Sequence, residues 1–211
     1  GGQGNIDAIH DAGRAVGCYI SVGSSEDWRT DAKDFPSESL GNTMAGWEGE
    51  TWIDINHWAV KDIMTRRVER AASMGCDAIE ADNVITYEEE NTGVSITEAQ
   101  QLDYNRWFAQ TVHDHGMLVG LKNGVDLLPN LVDDFDFAIV EECWKYQECQ
   151  PWFDTFILAG KPVFNVEYTG MGHCSLANDL AFDSIVKHLN LDAAVCSCAD
   201  SARNYECDTI F

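Results

Sequence analysis

Short apolar runs alternate along this chain with longer stretches in which hydrophobic residues recur at helical spacing. A glycine precedes three of the runs, in SMGCDAIEAD, DHGMLVGLKN and LAGKPVFNVEY. Gly75, Gly116 and Gly160 there occupy the position that commonly closes a helix in the left-handed conformation. The runs predict buried strands, and strands that alternate with helices predict a parallel sheet.

Six runs predict strands, and four further segments predict helices. The strand runs are 15–22, 75–83, 116–123, 134–142, 161–168 and a weaker one at 191–196. The helical segments are Asn5 to Gly13, His57 to Ser73, a stretch from the capping box of Thr97 and Gln100 to about His115, and 126–133. A last helix is predicted by an apolar face of Phe182, Ile185, Val186 and Leu189.

Five of the six predicted strands end in polar or charged residues. These residues are Ser21, Glu80 with Asp82, Lys122 with Asn123, Glu141 with Glu142, and Glu167 with Tyr168. Side chains that converge at one end of several strands are typical of a β/α barrel, whose active site lies at the C-terminal strand ends. An open doubly wound sheet is the alternative, but neither GxGxxG nor a Walker motif is present.

The balance of charge is strongly acidic. With 36 Asp plus Glu against 13 Lys plus Arg, the formal net charge is −23. This charge argues against binding to nucleic acid phosphates and favours attraction of cations, although a merely soluble acidic surface also explains it. No apolar run approaches the length of a membrane span, so no membrane partner is expected.

Eight cysteines indicate disulfides formed in an oxidising compartment. A metal site is not expected, because the chain has no CxxC pair and no HExxH motif. Cys143 and Cys149 lie close together after a strand, and Cys18 and Cys76 are positioned to join neighbouring strands. The sequence leaves open how the other four pair, which are Cys174, Cys196, Cys198 and Cys207. Of these four we expect Cys174 and Cys198 to be in disulfides.

The segment from Gly23 to Asn56 is too long for an idle connection and too aromatic for a disordered linker. It contains Trp28, Trp47 and Trp52 among glycines and polar residues. Tryptophan faces stack on sugar rings while nearby carboxylates bind hydroxyls or amines. We therefore expect a substrate-binding loop over the strand ends; the alternative is that these tryptophans form a satellite core.

Two carboxylates across a cleft are the minimum apparatus for glycoside hydrolysis. Asp82 and Glu141 end two different predicted strands, with one strand between them, so a barrel would place them across its mouth. From spacing alone Glu80, Glu142 and Glu167 compete for these roles, and an acidic strand end also binds metals or helix termini.

Longer motifs make the prediction more specific. The runs CYISVGSSEDWRTDAKDFP, GCDAIEADN, QQLDYNRWFA, GLKNG, FDFAIVEECWKYQEC and KPVFNVEY resemble glycoside hydrolase family 114, the endo-α-1,4-polygalactosaminidases. The resemblance extends from about Ile6 to Cys198. It implies a (β/α)8 barrel related to the α-galactosidases, secreted to the extracellular space, that cleaves galactosamine-rich polysaccharide such as galactosaminogalactan and needs no cofactor.

The resemblance also assigns residues. It places the catalytic acids at Asp82 and Glu141, and analogy with the α-galactosidase barrels makes Asp82 the nucleophile and Glu141 the acid/base of a retaining mechanism. A structural role, such as a buried Arg29–Asp31 pair, is the alternative for each further position. The residues expected around the sugar are Tyr19, Glu26, Trp28, Arg29, Asp54, Glu80, Asn83, Lys122, Asn123, Glu142, Glu167 and Tyr168.

Some features depart from the family pattern. Glu142 stands where a glutamine is expected, and its charge would raise the pKa of Glu141. EADN replaces the expected DPDN. The family's first two strands are expected before Asn5 and are missing here, and six strands cannot close an eight-stranded barrel. We therefore expect one barrel domain over residues 1–211 that is a fragment; the alternatives are an open barrel and a barrel completed by another chain.

Two other functions remain open from the sequence. One is a non-catalytic relative that binds sugar at the barrel mouth, and the presence of both Asp82 and Glu141 argues against it. The other is a metal-dependent deacetylase or hydrolase, against which the absence of histidine from the predicted strand ends argues. If the substrate is partly deacetylated it is cationic, and the acidic chain would attract it.

Overall fold

The computed structural model describes residues 3–190 and 192–199. The chain divides into two compact units, Gly1–Gly124 and Val125–Phe211. Each unit contains parallel strands with helices between them, as the alternating pattern predicts. The expectation of one domain over residues 1–211 stays a prediction.

The first unit contains six strands and three α-helices among its described residues. The strands are β1 (Gly17–Ser21), β2 (Ser24–Glu26), β3 (Leu40–Thr43), β4 (Glu50–Ile53), β5 (Ala78–Asp82) and β6 (Leu118–Lys122). The helices are α1 (Gln3–Asp11), α2 (Trp58–Ser73) and α3 (Glu98–Asp114), with 3-10 turns at Ala32–Asp34 and Ser37–Ser39.

The core of this unit is the parallel sheet β1-β5-β6. Ile79 and Ala81 of β5 are fully buried, as an internal strand requires. His57 is the N-cap of helix α2, and its side chain accepts a hydrogen bond from the Ala59 backbone amide. Thr97 is the N-cap of α3 and forms the predicted capping box with Gln100. These strands and helices confirm the sequence prediction.

The expected loop at Gly23 to Asn56 contains an antiparallel sheet, in the order β2-β4-β3. In it Ser24 pairs with Trp52, and Trp52 is buried. Trp28 and Trp47 are exposed. Only Trp52 therefore follows the satellite-core alternative.

The second unit contains four strands and four short α-helices among its described residues. The strands are β7 (Phe137–Glu141), β8 (Val163–Glu167), β9 (Asp183–Lys187) and β10 (Val195–Ser197). The helices are α4 (Leu128–Leu131), α5 (Cys143–Tyr146), α6 (Cys149–Trp152) and α7 (Cys174–Asp179), with a 3-10 turn at Val125–Leu127 and a π-helix at Phe153–Ile157. β7, β8 and β9 are parallel, and β10 is antiparallel to β9.

The predicted last helix is wrong. Its residues form strand β9, in which Ser184 and Val186 are buried and alternate with more exposed neighbours. On the inward face of this strand, Ser184 takes the place of an apolar residue and is held there by a hydrogen bond to Asn165. The alternation typical of a strand is therefore hidden in the sequence, and the remaining apolar positions match helical spacing. The weak strand at 191–196 is displaced to Val195–Ser197, and Leu191 lies outside the described residues.

Three disulfides join Cys18 to Cys76, Cys143 to Cys149 and Cys174 to Cys198. The two predicted pairs are thus confirmed. Cys174 and Cys198, the two further cysteines expected in disulfides, are bonded to each other. Cys196 is also disulfide-bonded, whereas Cys207 lies outside the described residues. His173 lies near Cys174 and Cys198, but the disulfide occupies both sulfurs, so this group is not a metal site.

No helix in the described part of the chain is both long and apolar enough to cross a bilayer.

Candidate active site

Asp82 is the last residue of β5 and lies opposite Ser21, the last residue of β1. The chain then turns at Asn83, which has φ 60°. Asparagine tolerates this left-handed conformation better than most residues do. The Asn83 side-chain amide donates from Nδ2 to Ser21 Oγ at 2.8 Å, so the turn that ends β5 is fixed to the neighbouring strand end.

The Asp82 carboxylate has a neutral donor on one oxygen and a cation near the other. The Tyr19 hydroxyl donates to Oδ2 at 2.9 Å, and Lys122 Nζ lies 3.7 Å from Oδ1. Lys122 also lies 3.4 Å from Glu80 Oε1 and is almost fully buried. A buried ammonium group requires such anionic partners.

Tyr19 remains a hydrogen-bond donor. Partial burial of the phenol and the negative charge of Asp82 raise the pKa of Tyr19 well above its ordinary value. Its hydroxyl therefore keeps its proton at neutral and moderately alkaline pH.

Lys122 ends β6 just as Asp82 ends β5. The residue after Lys122, Asn123, has φ 55° and repeats the left-handed turn of Asn83. The same local geometry thus positions the carboxylate and its cation at the C-terminal ends of adjacent strands.

Sequence reasoning missed Glu50, a buried carboxylate at the start of β4. Its Oε2 accepts from Ser24 Oγ at 2.7 Å, and Ser24 Oγ lies 2.5 Å from Ser21 Oγ. Burial raises the pKa of Glu50, and the charges of Glu26 and Asp82 add to this, against the Ser24 hydrogen bond. The sequence signal that could have drawn attention to it is the pair of turn glycines, Gly46 and Gly49, before the run ETWI.

Two arginines form ion pairs near the beginning of the segment from Gly23 to Asn56. Arg29 binds Glu26 through Nε at 2.6 Å and Nη2 at 3.0 Å, so the suggested Arg29–Asp31 pair is not the one formed. Asp31 instead binds Arg67, through contacts of 2.7 and 3.0 Å. Although burial opposes it, Arg67 lowers the pKa of Asp31. Glu26 and Arg29 thus bind each other, and their expected place around the sugar stays a prediction.

Asp54 and Trp28 are not brought to Asp82 by any described contact. Asp54 Oδ1 accepts from the Asn56 amide at 3.0 Å, and its backbone amide donates to Ser39, so it shapes the turn before α2. Trp28 is 58% exposed. It lines a cavity of about 530 Å³ with Tyr19 and several arginines, whereas Asp82 is not among the residues lining it.

In the second unit, Glu141 is the last residue of β7 and accepts a hydrogen bond from the Tyr168 hydroxyl. Glu142 follows with φ 54°, in the left-handed conformation. Its amide donates to Val166 at 2.8 Å, and its carboxylate binds Lys145 Nζ at 2.6 Å. Glu141 therefore resembles Asp82 of the first unit in three respects. Each is the last residue of a strand, is followed by a residue in the left-handed conformation, and accepts a hydrogen bond from a tyrosine hydroxyl.

Glu167 has a different environment, because its carboxylate is buried. It accepts from the Trp144 amide at 3.1 Å and from Asn165 Nδ2 at 3.0 Å. Asn165 in turn accepts from Ser184 Oγ at 2.5 Å. Glu167 thus fixes the chain just after Glu141 and Glu142 through a buried network that the sequence did not reveal.

His173 extends this network. Its Nε2 lies 3.0 Å from Ser184 Oγ, and its ring stacks on Trp144 with centroids 5.9 Å apart. Burial lowers the pKa of His173, opposed by the charge of Glu167, so the imidazole is neutral at physiological pH.

Comparison with known proteins gives the family. The profile of glycoside-hydrolase family GH114 matches residues 2–203. Aspergillus fumigatus Ega3, in a crystal structure of its complex with galactosamine, is 32% identical with a TM-score of 0.87, over 93% of this chain and 84% of that one. No match was found among curated protein sequences.

Two more distant structures share the fold. The glycoside hydrolase domain of PelA from Pseudomonas aeruginosa, in its E218A variant, is 14% identical with a TM-score of 0.72, over 93% of this chain and 87% of that one. A GH27 β-L-arabinopyranosidase from Geobacillus stearothermophilus is 11% identical with a TM-score of 0.61, over 92% and 54%. These similarities confirm the predicted α/β barrel class. Because the family profile spans nearly the whole chain, this protein belongs to glycoside-hydrolase family GH114 and is a glycoside hydrolase.

Proposed function

We propose that this enzyme is a secreted endo-hydrolase of α-1,4-linked galactosamine polymers, with Asp82 as nucleophile and Glu141 as general acid/base of a retaining mechanism. The observation that carries the proposal is the set of contacts around Asp82, whose carboxylate meets the Tyr19 hydroxyl and the Lys122 ammonium group at a strand end. The similarity to Ega3, which was crystallised with galactosamine, supports the choice of sugar.

Asp82 suits the nucleophile because a nucleophilic carboxylate must be ionised when substrate binds. The Lys122 ammonium group and the Tyr19 hydroxyl supply a cation and a hydrogen-bond donor to this carboxylate. Glu80 shares Lys122, so the ammonium group balances two carboxylates rather than one.

Glu141 suits the acid/base role, since Tyr168 holds its carboxylate in place at the strand end. The neighbouring acid, Glu142, is bound to Lys145. The Lys145 charge offsets the like-charge repulsion expected between Glu141 and Glu142. We therefore assign Glu142 no part in proton transfer.

The net charge and the disulfides fit the proposed substrate and location. A partly deacetylated galactosamine polymer carries ammonium groups, and a chain of net charge −23 attracts it over long range. Disulfides persist mainly in oxidising compartments, as expected of a secreted enzyme.

The test is incubation of the enzyme with acetylated and with deacetylated galactosaminogalactan, followed by mass spectrometry of the soluble products. The proposal predicts a series of galactosamine oligomers, as internal cleavage produces. NMR of the first products is expected to show the α-anomer, which retention gives. No soluble product from either polymer, with the polymer still bound, would contradict hydrolysis and indicate a binding relative.

A further inference from the structure

Glu50, the first residue of β4, is a buried carboxylate that the proposed mechanism does not use. It is 6% exposed, and in the part of the chain that the structure describes no ion pair joins it to a cationic side chain. A buried charge without a cation beside it is unfavourable for folding. Such groups are concentrated at functional sites, so the contacts of Glu50 indicate what it does.

Three hydrogen bonds lead from Glu50 to the residue that follows Asp82. Ser24 Oγ donates to Glu50 Oε2 at 2.7 Å. Ser24 Oγ lies 2.5 Å from Ser21 Oγ, and Asn83 Nδ2 donates to Ser21 Oγ at 2.8 Å. Both serines are completely buried, so bulk solvent does not compete for these contacts. Glu50 and Asn83 are therefore the two ends of one buried chain of hydrogen bonds.

The carboxylate of Glu50 sets the direction of this chain. An ionised carboxylate can only accept hydrogen bonds, so the single hydroxyl proton of Ser24 points to Glu50. The proton between the two serines must then come from Ser21, whose oxygen accepts from Asn83. Each donor thus has one acceptor, and the order depends on the acceptor at Glu50.

The far end of the chain is a turn that needs support. Asn83 has φ 60°, a left-handed conformation that is unfavourable for a residue with a Cβ atom. Its hydrogen bond to Ser21 offsets this cost. Because Asn83 directly follows Asp82 in the chain, a change in this turn would move the Asp82 carboxylate.

The backbone between the two serines also lies directly against this turn. The Val22 amide donates to the Asp82 carbonyl oxygen at 2.9 Å. A Cβ atom at Gly23 would lie 2.1 Å from the Asn83 carbonyl oxygen, so only glycine allows this approach. A displacement of Ser24 is therefore transmitted to the backbone at Asp82 and Asn83.

We propose that Glu50 is a positioning residue for Asp82, which it acts on through the two buried serines and the turn at Asn83. The inference rests on the proposed function, in which Asp82 is the nucleophile. The hydrogen-bond partner of Glu50 is Ser24 and not Asp82. Its removal should therefore disturb the alignment of the reacting carboxylate and lower kcat, with little effect on KM.

The test compares Glu50→Ala with Glu50→Gln. Glutamine retains an oxygen that accepts from Ser24, whereas alanine leaves the Ser24 hydroxyl without an acceptor. For cleavage of deacetylated galactosaminogalactan, Glu50→Ala is expected to lower kcat about tenfold or more and to change KM by less than about twofold. Glu50→Gln should keep kcat within about threefold of wild type. The matched control is Glu48→Ala, the loss of an exposed glutamate two residues away, which should change neither constant.

Ser24→Ala breaks the same chain at its next member and keeps the test decisive if Glu50→Ala does not fold. It should lower kcat as Glu50→Ala does, and the double variant should lose no more than about twofold beyond either single variant, because both act through one chain. Circular dichroism and the melting temperature check the folding of every variant.

Wild-type kcat in Glu50→Ala or Ser24→Ala would overturn the positioning role, as would an equal loss of kcat in Glu50→Gln and Glu50→Ala. If Asp82→Asn is inactive in the same assay, the proposed function survives that result. If the wild-type enzyme does not cleave the polymer, or if Asp82→Asn retains full activity, the proposed function itself fails and the positioning role fails with it.

Discussion

The Tyr19 hydroxyl donates a 2.9 Å hydrogen bond to Asp82 Oδ2 between the adjacent parallel strands β1 and β5. In the pairing register Tyr19 lies opposite Glu80, and Ser21 lies opposite Asp82. The long tyrosine side chain therefore reaches diagonally along the sheet to the last residue of the next strand. A phenol in this position orients the carboxylate and stabilises its charge.

We expect Tyr19→Phe to lower kcat for polymer cleavage about tenfold, because one neutral hydrogen bond to a charged group contributes roughly 1.5 kcal/mol. Since burial and Asp82 raise the pKa of Tyr19, the wild-type rate should show no loss from tyrosine ionisation up to about pH 10. The measurement is kcat against pH for both proteins. An unchanged kcat in the variant would remove Tyr19 from the mechanism.

Glu50→Gln is expected to raise the melting temperature at neutral pH. Burial raises the pKa of Glu50 in the folded state, so its favourable contribution is present below the unfolded pKa and is lost as pH rises through the folded pKa. Glutamine keeps the acceptor for Ser24 without the charge. The advantage of the variant should vanish near pH 3.5, below the ordinary value of about 4.3.

The matched control for this prediction is Glu48→Gln, an exposed acid two residues away. Thermal unfolding followed by circular dichroism at several pH values gives the difference in melting temperature between each variant and wild type. A melting temperature of Glu50→Gln that stays at or below that of wild type at pH 7 would contradict the assignment of a destabilising buried charge.

The disulfides are expected to differ in their effect on stability. Cys18 and Cys76 are 58 residues apart in sequence, and Cys143 and Cys149 are 6 apart. By loop-closure entropy, replacing the first pair by alanine costs about 4 kcal/mol and replacing the second about 2 kcal/mol. Denaturant unfolding measures both; a larger loss for the short loop would contradict the entropic account.

Thiol titration of the unfolded, non-reduced protein is a companion measurement. All seven described cysteines are bonded, so at most one of the eight should react. Two or more reactive thiols would contradict this set of disulfides.

Salt is expected to weaken cleavage of the cationic polymer. The net charge of −23 attracts ammonium groups, and this attraction is screened within about 8 Å at physiological ionic strength. Values of kcat/KM for deacetylated polymer should fall between 50 and 500 mM NaCl, as the screening length shortens. The acetylated polymer is the control, and an equal fall for both would exclude electrostatic attraction as the cause.

The local pattern of apolar runs and glycines was sufficient to predict most of the strands and helices. The glycine before each apolar run marked helix ends correctly, and Gly75, Gly116 and Gly160 do have positive φ. The pattern failed at β9, where buried Ser184 replaces an apolar residue and is stabilised by Asn165 instead. A hydrogen bond to a residue 19 positions away leaves no local signal in the sequence.

The candidate site was predictable in part from the same local pattern. Strand-end positions such as Asp82 and Lys122 follow from the alternation of strands and helices. Glu50 was missed because its burial depends on the pairing of β2 with β4. Trp28, Trp47 and Trp52 looked equivalent in the sequence, and only that pairing distinguishes the buried tryptophan from the exposed ones.

The most direct test of the account is product analysis of galactosaminogalactan treated with wild type, Asp82→Asn, Glu141→Gln and Glu142→Gln. We expect the first two variants to lose at least about a thousandfold in cleavage rate while folding normally, because each lacks one member of the carboxylate pair. Glu142→Gln, next to Glu141 but bound to Lys145, should remain within about fivefold of wild type. Full activity in Asp82→Asn or Glu141→Gln would contradict the catalytic assignment.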